Sequence, residues 1–492
     1  MLSMGLLEIA LVAVPVLILV LVSLKHWLST GSRYGAGGSL LPPGNMGWPI
    51  VGETLEFFGS LRKGTPWSFY RERMDRHDPR VFKMGMLGSA AAVICGAAGH
   101  KFLFGNENKL VRTWWPPSVH KLFGPCLITH EHLDKVKRTR KILSSSLDPE
   151  PLIKYVKTMD SVTINHIRSL WLGKEEVVVY PTIKVYALEL ACRMFMSFEE
   201  QELILKLSAQ FNIFNKGVIN IPLNFPGTEF HRAMRAGTNI RVQLRAIVMQ
   251  RKSELQQKTT SPPRDVLTHL LQTSDEDGGF LNEEEIINNI ILLLFAGHDT
   301  SCSVITSVIK YLAELPHVYD RVLTEQGEIA KCKGERELLE WEDIQKMKYT
   351  WQVVSEVLRL TPPVMSGFRR SLVDFTNEGF TVPKGWMILW SPATTHKDPK
   401  LFPRPEEFDA SRFEGSGPPP FSYVPFGGGP RMCLGKEYAR LEILVLLHNL
   451  VRKFRWELLI PDEKIAYDPL ATPEKGLPIR LIPHSSETLH DH

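Results

Sequence analysis

Cysteine is scarce in this sequence: 492 residues contain six, which stand far apart and form no C-x-x-C pair. This pattern excludes a zinc ribbon and a disulfide scaffold, and it fits a compartment in which thiols stay reduced. An excess of charge of either sign is also lacking, because 58 Lys and Arg stand against 54 Asp and Glu, for a net charge of +4. So slight a balance does not indicate a nucleic-acid-binding protein. With 43% hydrophobic and 23% charged residues, the chain has instead an ordinary globular composition.

The N-terminus carries an apolar segment. Its 19 residues, Leu6–Leu24, contain one charge, Glu8, and would form about 28 Å of helix against a hydrocarbon core of about 30 Å. Lys25 and Arg33 follow without a small-residue cleavage pattern, so residues 1–30 are predicted to be a retained transmembrane anchor. A cleaved signal peptide is the alternative. The basic flank predicts a single-pass membrane protein whose remaining chain faces the cytoplasm.

The rest of the chain is predicted to have three parts. Residues 31–49 are rich in Gly and Pro and are predicted to be a hinge, residues 50–483 to form one domain, and residues 484–492 to be a disordered polar tail. Long helical patterns alternate with short strand-like runs, such as 81–84 and 91–95. The fold class predicted from these patterns is mainly α with small β-sheets.

One apolar stretch of this domain is interrupted by prolines. Residues 217–227 read GVINIPLNFPG. This composition predicts a loop that packs on a lid or dips into lipid near the anchor. A buried connection is the alternative.

The longest helical pattern, Asn282–Leu315, is predicted to cross the core, since it opens with an amide capping box and a proline follows it. It contains A-G-H-D-T-S at residues 296–301. A mid-helix glycine costs about 1 kcal/mol relative to alanine, so Gly297 is predicted to open a groove for a flat ligand. Thr300 is predicted to bond the carbonyl one turn back and to face that ligand with its hydroxyl or a water. Alternatively, Asp299 is a solvated charge and Thr300 a neutral filler.

Cys433 follows a glycine-dense turn, Gly427–Gly429, and a strongly apolar helix is predicted directly after it. The helix dipole and the neighbouring Arg431 and Lys436 are predicted to favour its thiolate. The glycines predict a sharply bent backbone that lies against something large, such as a metal in a flat macrocycle. A zinc site lacks further ligands nearby, whereas a Cys-His nucleophile stays open. Its two candidate histidines are His396 and His448.

The turn resembles the haem-binding signature of cytochromes P-450, F-x-x-G-x-R-x-C-x-G. The matching residues are Phe426, Gly429, Arg431, Cys433 and Gly435. Two further elements occur in that family's order and spacing: an E-x-x-R pair at Glu356 and Arg359 ahead of two prolines, and the A-G-x-D-T-S segment. The resemblance covers nearly the whole chain and implies the cytochrome P-450 fold.

The resemblance also implies a cofactor, haem b, with the Cys433 thiolate as the axial ligand of the iron. It implies that Arg140, Arg369 and Arg431 pair with the haem propionates, because guanidinium groups match carboxylates bidentately. Further residues that it places against the haem are Phe426, Gly429, Gly435, Ala296 and Gly297.

Two other roles follow from the same resemblance. Asp299 and Thr300 would relay protons during oxygen activation. Glu356 and Arg359 would form a buried charge network with Arg412. Electrons would come from a separate NADPH-dependent reductase, because no segment resembles a flavin or nicotinamide site, and dioxygen would be the second substrate.

In finer detail the chain is similar to the plant branch that oxidises pentacyclic triterpenes such as beta-amyrin. Segments that carry this similarity include FLFGNENKLV from Phe102 and FPGTEFHRA from Phe225. A rigid apolar terpenoid, oxidised at C-28 to alcohol, aldehyde or acid, is the implied substrate. The implied location is the endoplasmic reticulum membrane, and membrane lipid is an implied partner. The alternatives are a taxane-type diterpenoid or steroid hydroxylase, a reductase-independent haem-thiolate isomerase and a non-catalytic haem protein.

Overall fold

The computed structural model describes residues 38–49, 51–130, 133–257, 263–273, 280–334 and 337–484. The predicted anchor, residues 1–30, and all but the first residue of the predicted tail lie outside this part of the chain. Contacts divide the chain into two compact units. The first unit comprises Met1–Trp114, Met365–Pro405 and Pro419–Arg431, and the second comprises Trp115–Val364, Glu406–Pro418 and Met432–His492. The single domain over residues 50–483 stays a prediction.

Helices dominate the described residues, as the sequence predicts. The first unit contains α1 (Thr54–Arg62), α2 (Pro66–Arg76) and α3 (Gly96–Gly105). The second unit begins with α4 (Pro117–Phe123), α5 (Leu133–Leu147), α6 (Pro149–Ile153), α7 (Val156–Leu170), α8 (Val179–Met196), α9 (Gln201–Asn215), α10 (Glu229–Gln257) and α11 (Val266–Gln272). It continues with α12 (Glu283–Glu314), α13 (Pro316–Lys331), α14 (Trp341–Lys346), α15 (Lys348–Leu360) and α16 (Lys436–Lys453).

The strands are short and form small sheets. Those of the first unit are β1 (Gly44–Asn45), β2 (Val81–Met86), β3 (Ser89–Ile94), β4 (Val111–Thr113), β6 (Gly367–Ser371), β7 (Phe375–Asn377), β8 (Phe380–Val382) and β9 (Met387–Trp390). Those of the second are β5 (Glu176–Val178), β10 (Phe454–Leu458), β11 (Ile465–Tyr467), β12 (Ala471–Pro473) and β13 (Pro478–Pro483). The strands predicted at 81–84 and 91–95 are β2 and β3, which confirms both.

The first unit is built on a six-stranded sheet in the order β1-β2-β3-β9-β6-β4. β2 and β3 form an antiparallel hairpin, and β3 runs parallel to β9. At the other edge β4 pairs antiparallel with β6, in a register that sets Thr113 opposite Arg369. An apolar core that includes Phe104 and Val424 packs beside these strands. The sheet thus brings polar side chains from β4 and β6 to one edge.

The second unit is centred on α12, which packs against α8, α10, α15 and α16. The capping box at its start is formed, with Asn282 and Glu285 exchanging side-chain and backbone hydrogen bonds. α12 is also the one helix of the described residues that is long and apolar enough to cross a membrane, but 78% of its most apolar window is buried. It is therefore a core helix, as its pattern predicts.

Candidate functional site

The segment around Cys433 belongs to the second unit from Met432 onward. α16 begins at Lys436 with Gly435 as its N-cap, so Cys433 lies just ahead of the helix. The residue as a whole is exposed, although many protein atoms surround its sulfur. Burial of the sulfur by neighbouring protein atoms raises the pKa of the thiol, whereas the Gly435 amide and the charges of Arg140 and Lys436 lower it. The sequence predicted that Arg431 and Lys436 would favour the thiolate. In the structure desolvation has the larger effect and raises the pKa of the thiol, and the nearby arginine is Arg140 rather than Arg431.

Arg140 reaches this segment from α5. Its Nη2 donates a hydrogen bond of 2.8 Å to the carbonyl of Met432. Burial lowers the pKa of Arg140, and the proximity of Cys433 raises it. Arg140 is therefore a component of the site rather than an ordinary surface charge.

The glycines of the turn bend the backbone sharply, as predicted, with φ +68° at Gly427. Two of them also pack closely on a neighbouring helix. Gly429 has φ +65°, and a Cβ there would lie 2.5 Å from the carbonyl oxygen of Phe104 in α3. A Cβ on Gly428 would collide with the Phe104 ring. The turn is thus glycine-rich because it packs on α3 of the same unit. Gly435 alone leaves space for something large, as predicted, since a Cβ there would meet no atom of the described residues within 4 Å.

Two arginines of the first unit converge on one buried glutamate, Glu107. Nε of Arg369 lies 2.5 Å from Oε2 of Glu107, and Nε of Arg431 lies 3.8 Å from Oε1. Arg369 also donates from Nη1 to the Phe368 carbonyl at 2.9 Å. An arginine has five N–H donors, so both can bond a further carboxylate. Phe426, the first residue of the signature, precedes Arg431 in the same unit and is half-buried.

The A-G-H-D-T-S segment lies in the middle of α12. Ala296 is exposed and Thr300, one turn later on the same face, is half-buried. The Thr300 hydroxyl donates to the Ala296 carbonyl at 2.5 Å, as predicted. A Cβ on Gly297 would lie 3.4 Å from the Phe195 ring and 3.7 Å from Tyr438. The predicted groove at Gly297 is therefore wrong, because protein side chains occupy that side, and the open face belongs to Ala296 and Thr300.

Asp299 is buried and paired, which contradicts the alternative of a solvated helix charge. It is 2% exposed, and its Oδ1 lies 2.7 Å from Nζ of Lys184 in α8. Nε2 of His298 lies 3.4 Å from the same oxygen. Burial lowers the pKa of His298, the Asp299 carboxylate raises it, and the Lys184 ammonium lowers it. His298 is therefore neutral at pH 7, and the charge pair is Lys184 with Asp299.

Glu356 and Arg359 of α15 form a charge network with no solvent exposure. Nε of Arg359 donates to Oε2 of Glu356 and Nη2 to Oε1, both at 2.7 Å. Nε of Arg412 lies 3.4 Å from Oε1, and the Asp409 amide donates to that oxygen at 2.9 Å. The structure thus brings together the three residues of the network implied by the resemblance.

The two histidines considered as partners of a nucleophilic Cys433 are engaged elsewhere. Nε2 of His396 accepts a hydrogen bond of 2.9 Å from the Val424 amide. Nδ1 of His448 lies 2.8 Å from Oε1 of Gln326. In the described part of the chain, moreover, no three His, Cys, Asp or Glu side chains are grouped to hold a metal ion.

The residues present fit a haem-thiolate site. One cysteine stands at a helix N-terminus beside a backbone amide and two cations. Two arginines share one carboxylate and so keep a positive charge for a carboxylate-bearing cofactor. The central helix exposes a small side chain, Ala296, next to the Thr300 hydroxyl. Such groups match the soft iron ligand, the propionate partners and the open helix face that the resemblance implies.

Sequence reasoning missed two charged residues of the site. Glu107 lies in the segment FLFGNENKLV, which signalled a family similarity but no role. Lys184 lies in α8, whose neighbouring residues are mostly apolar. A lone lysine in an otherwise buried helix is the one signal that could have identified it, because lysine is almost never fully buried unless paired.

Comparisons with known proteins agree with this site. The family model Cytochrome P450 matches residues 42–479. A tomato (Solanum lycopersicum) protein named beta-amyrin 28-monooxygenase is 51% identical over 447 residues, which is 91% of this chain and 94% of that protein. A grapevine (Vitis vinifera) protein of the same name is 49% identical over 91% of this chain and 93% of its own length.

A solved structure shows the same architecture. Retinoic acid bound cyanobacterial CYP120A1 superposes with a TM-score of 0.82 at 34% identity, covering 91% of this chain and 100% of that one. Fold, signature and relatives thus agree over almost the full length. The chain belongs to the cytochrome P450 family, and it is a monooxygenase whose cofactor is haem b.

Proposed function

We propose that this protein oxidises a pentacyclic triterpene of the beta-amyrin type at C-28, to the alcohol and onward to the aldehyde or acid. One observation carries the proposal: relatives named beta-amyrin 28-monooxygenase, from several plants, are 48–51% identical to this chain over 91–94% of its length. The match extends over nearly the full length of both chains, so we infer that the substrate class is shared along with the fold.

The residues beside the open face of α12 support an apolar, rigid substrate. Phe295 precedes Ala296 and packs edge-to-face on Phe123 of α4, with ring centroids 5.1 Å apart. Phe123 packs in the same way on Phe214 of α9, also at 5.1 Å. Phe123 and Phe214 are fully buried, so they support the half-buried Phe295 from behind and keep the surroundings of this face apolar. Apolar surroundings of this kind suit a polycyclic hydrocarbon, which is held by shape and burial.

Haem b, when bound, supplies the iron at which dioxygen is activated, and this chain supplies the ligand and its surroundings. Cys433 holds the iron through its sulfur, since coordination to a metal deprotonates a thiol outright. Phe426 shields that sulfur and lowers the local dielectric. Arg140, Arg369 and Arg431 pair with the propionates. Gly429, Gly435 and Ala296 allow backbone and helix to approach the ring.

Asp299 and Thr300 deliver protons at the open face of α12. The Thr300 hydroxyl, bonded to the Ala296 carbonyl, presents its oxygen on that face and orients a water or the oxygen substrate. The Asp299 carboxylate is held by Lys184, so its proton exchange requires the ion pair to open.

The electron donor in this proposal is a membrane-bound NADPH-dependent cytochrome P-450 reductase, and the protein lies on the cytoplasmic face of the endoplasmic reticulum. Lys436 is exposed at the start of α16 and is a point for an acidic partner to dock. In the second unit, Ile221, Leu223 and Phe225 are 61–71% exposed, so the predicted loop at 217–227 presents apolar side chains. They support contact with lipid, from which a membrane-dissolved triterpene reaches the enzyme.

The test is co-expression in yeast with a plant reductase and an oxidosqualene cyclase that makes beta-amyrin. We expect C-28 alcohol, aldehyde and acid, identified by mass spectrometry and NMR. The control is Cys433→Ala, which removes the iron ligand and abolishes product.

Parallel strains that supply a taxane diterpene or a sterol decide between substrate classes. Oxidation of either in preference to beta-amyrin overturns the triterpene proposal.

A further inference from the structure

Glu107 is a buried carboxylate to which the proposed mechanism assigns no role. It lies two residues after the end of α3, ahead of β4, in the segment FLFGNENKLV. Its side chain is 1% exposed. A carboxylate at such depth is costly unless its oxygens are bonded and its charge is compensated.

All the described partners of Glu107 come from the first unit. Oε1 accepts hydrogen bonds from the Thr113 amide at 2.9 Å and from the Thr113 hydroxyl at 3.0 Å. Oε2 accepts from Nε of Arg369 at 2.5 Å, and Nε of Arg431 lies 3.8 Å from Oε1. The pairing of β4 with β6 sets Thr113 opposite Arg369, so the sheet itself aligns the carboxylate with the guanidinium.

The charges of this cluster do not cancel. Among the contacts of Glu107, two guanidinium groups meet one carboxylate, so this cluster holds one more cation than anion. Both arginines belong to the set that holds the propionates. Glu107 therefore limits the positive charge presented to the haem, and its bonds hold the Arg369 guanidinium in one orientation.

We propose that Glu107 is a positioning residue for the haem propionates: it orients Arg369, compensates one of the two charges of Arg369 and Arg431, and so sets haem retention and haem potential. This role rests on the family's cofactor and on the contacts of the first unit. It is independent of which terpenoid the enzyme oxidises.

Glu107→Gln tests the role because it keeps the shape of the side chain and removes the charge. One more positive charge then acts on the haem, and reduction, which adds an electron, becomes more favourable. We expect the ferric–ferrous midpoint potential to rise. We also expect haem transfer to apomyoglobin to be about tenfold faster, the size of effect typical when a group that orients a ligand is lost.

The matched control is Asp265→Asn in the second unit. Asp265 and its partner Arg251 have the same exposures as Glu107 and Arg369, namely 1% and 8%. Both substitutions remove the carboxylate charge of a buried pair, so both lower the thermal unfolding midpoint. Glu107→Gln alone is expected to change the potential and the transfer rate. Glu107→Asp restores the charge and is expected to return the potential toward that of the wild type.

Measurements on the full-length holoprotein in detergent decide the matter. One outcome would overturn the proposal: Glu107→Gln lowers the unfolding midpoint as Asp265→Asn does, but its haem potential and haem transfer rate equal those of the wild type. Glu107 would then have no role beyond folding. Should Glu107→Gln fail to fold, Thr113→Val, which deletes one hydrogen bond to Oε1, decides instead. Faster haem transfer in that variant supports the proposal, and an unchanged rate overturns it.

Discussion

Charged side chains that lie far apart in the sequence meet in pairs inside this protein. Lys184 of α8 and Asp299 of α12 are the pair closest to the proposed chemistry, with side chains 11% and 4% exposed. Removal of one partner from a buried pair leaves an uncompensated charge, whereas removal of both leaves none. Comparing the single and double variants of this pair therefore separates its effect on stability from its effect on catalysis.

Lys184→Met is expected to lower the free energy of unfolding by about 3–5 kcal/mol, because Asp299 then remains buried without its cation. Adding Asp299→Asn is expected to recover most of that loss. Product formed per NADPH consumed should fall in both variants, since the acid is either unpaired or absent. Denaturant titration and coupled turnover assays measure the two quantities.

An unfolding free energy that Lys184→Met leaves at the wild-type value would show that the ion pair does not contribute to the fold. If the double variant formed as much product per NADPH as the wild type, Asp299 would not be part of the proton route.

Two glycines of the same signature have different structural roles. Gly429 has a positive φ and touches the Phe104 backbone of α3, whereas Gly435 has φ −88° and open space where a Cβ would be. Of these two glycines, only Gly429 is required by packing.

Gly429→Ala is expected to lower the free energy of unfolding by about 1–3 kcal/mol, because a side chain must adopt a left-handed conformation and displace α3. Gly435→Ala is the control and should unfold as the wild type does. Urea titration followed by circular dichroism compares the two. Equal losses in both variants would contradict this account of the turn.

The loop at 217–227 was predicted either to meet lipid or to be buried. Val218 is buried, yet Ile221, Leu223 and Phe225 are exposed, so the buried connection describes only the start of the loop. Full burial of one such side chain stabilises by about 1.5–3 kcal/mol. Insertion of these exposed side chains into lipid would therefore favour membrane binding.

Replacing Ile221, Leu223 and Phe225 together by Ser is expected to raise the KM for a triterpene dissolved in vesicles about tenfold, the equivalent of about 1.4 kcal/mol. The kcat is expected to stay the same, because the substitutions lie outside the catalytic residues. Vesicle-based turnover assays measure both.

The control makes the same change to Ser at two other exposed leucines, Leu170 at the end of α7 and Leu172 just after it. They are 39% and 44% exposed. These changes should leave the KM unaltered. An equal rise in both variants would show that general surface polarity, and not this loop, governs substrate access.

Across the described chain, several histidines are buried in neutral form. Burial lowers the pKa of His100 and of His166 to about 4 and that of His448 to about 3. The usual pKa of histidine, about 6.5, applies in the unfolded chain. Between pH 6.5 and the lowered pKa values, the unfolded chain therefore binds protons that the folded chain does not. The free energy of unfolding therefore falls as the pH falls through this window.

His166→Phe is expected to flatten this dependence by about 1.4 kcal/mol per pH unit between pH 6.5 and 4, the contribution of one proton. Nε2 of His166 makes no hydrogen bond to any described residue, so phenylalanine can take its place. Urea titration over a pH series measures the slope. Parallel curves for variant and wild type would contradict a buried neutral His166.

Local patterns predicted the elements well because their determinants are neighbours along the chain. The capping box of α12, the strands β2 and β3 and the helix after Cys433 each follow from a few consecutive residues. The signature around Cys433 is likewise a short run, which is why the cofactor was predicted. The residues 1–30 and 485–492 lie outside the described chain, so the anchor and the tail stay predictions.

Contacts between distant residues could not be predicted in this way. The pairing of Asp299 with Lys184 depends on how α8 packs on α12, and that of Glu107 with Arg369 on the register of β4 against β6. The same reason explains the error at Gly297, since helical periodicity shows that a side chain is missing but not which neighbour fills the gap.

The order of residues along this chain was enough to predict most of its helices and strands, its cofactor and its family. Charge compensation and the direction of the open face of α12 arose only once helices and strands had packed, because electrostatic and steric interactions act through space and depend on distances that no local pattern contains.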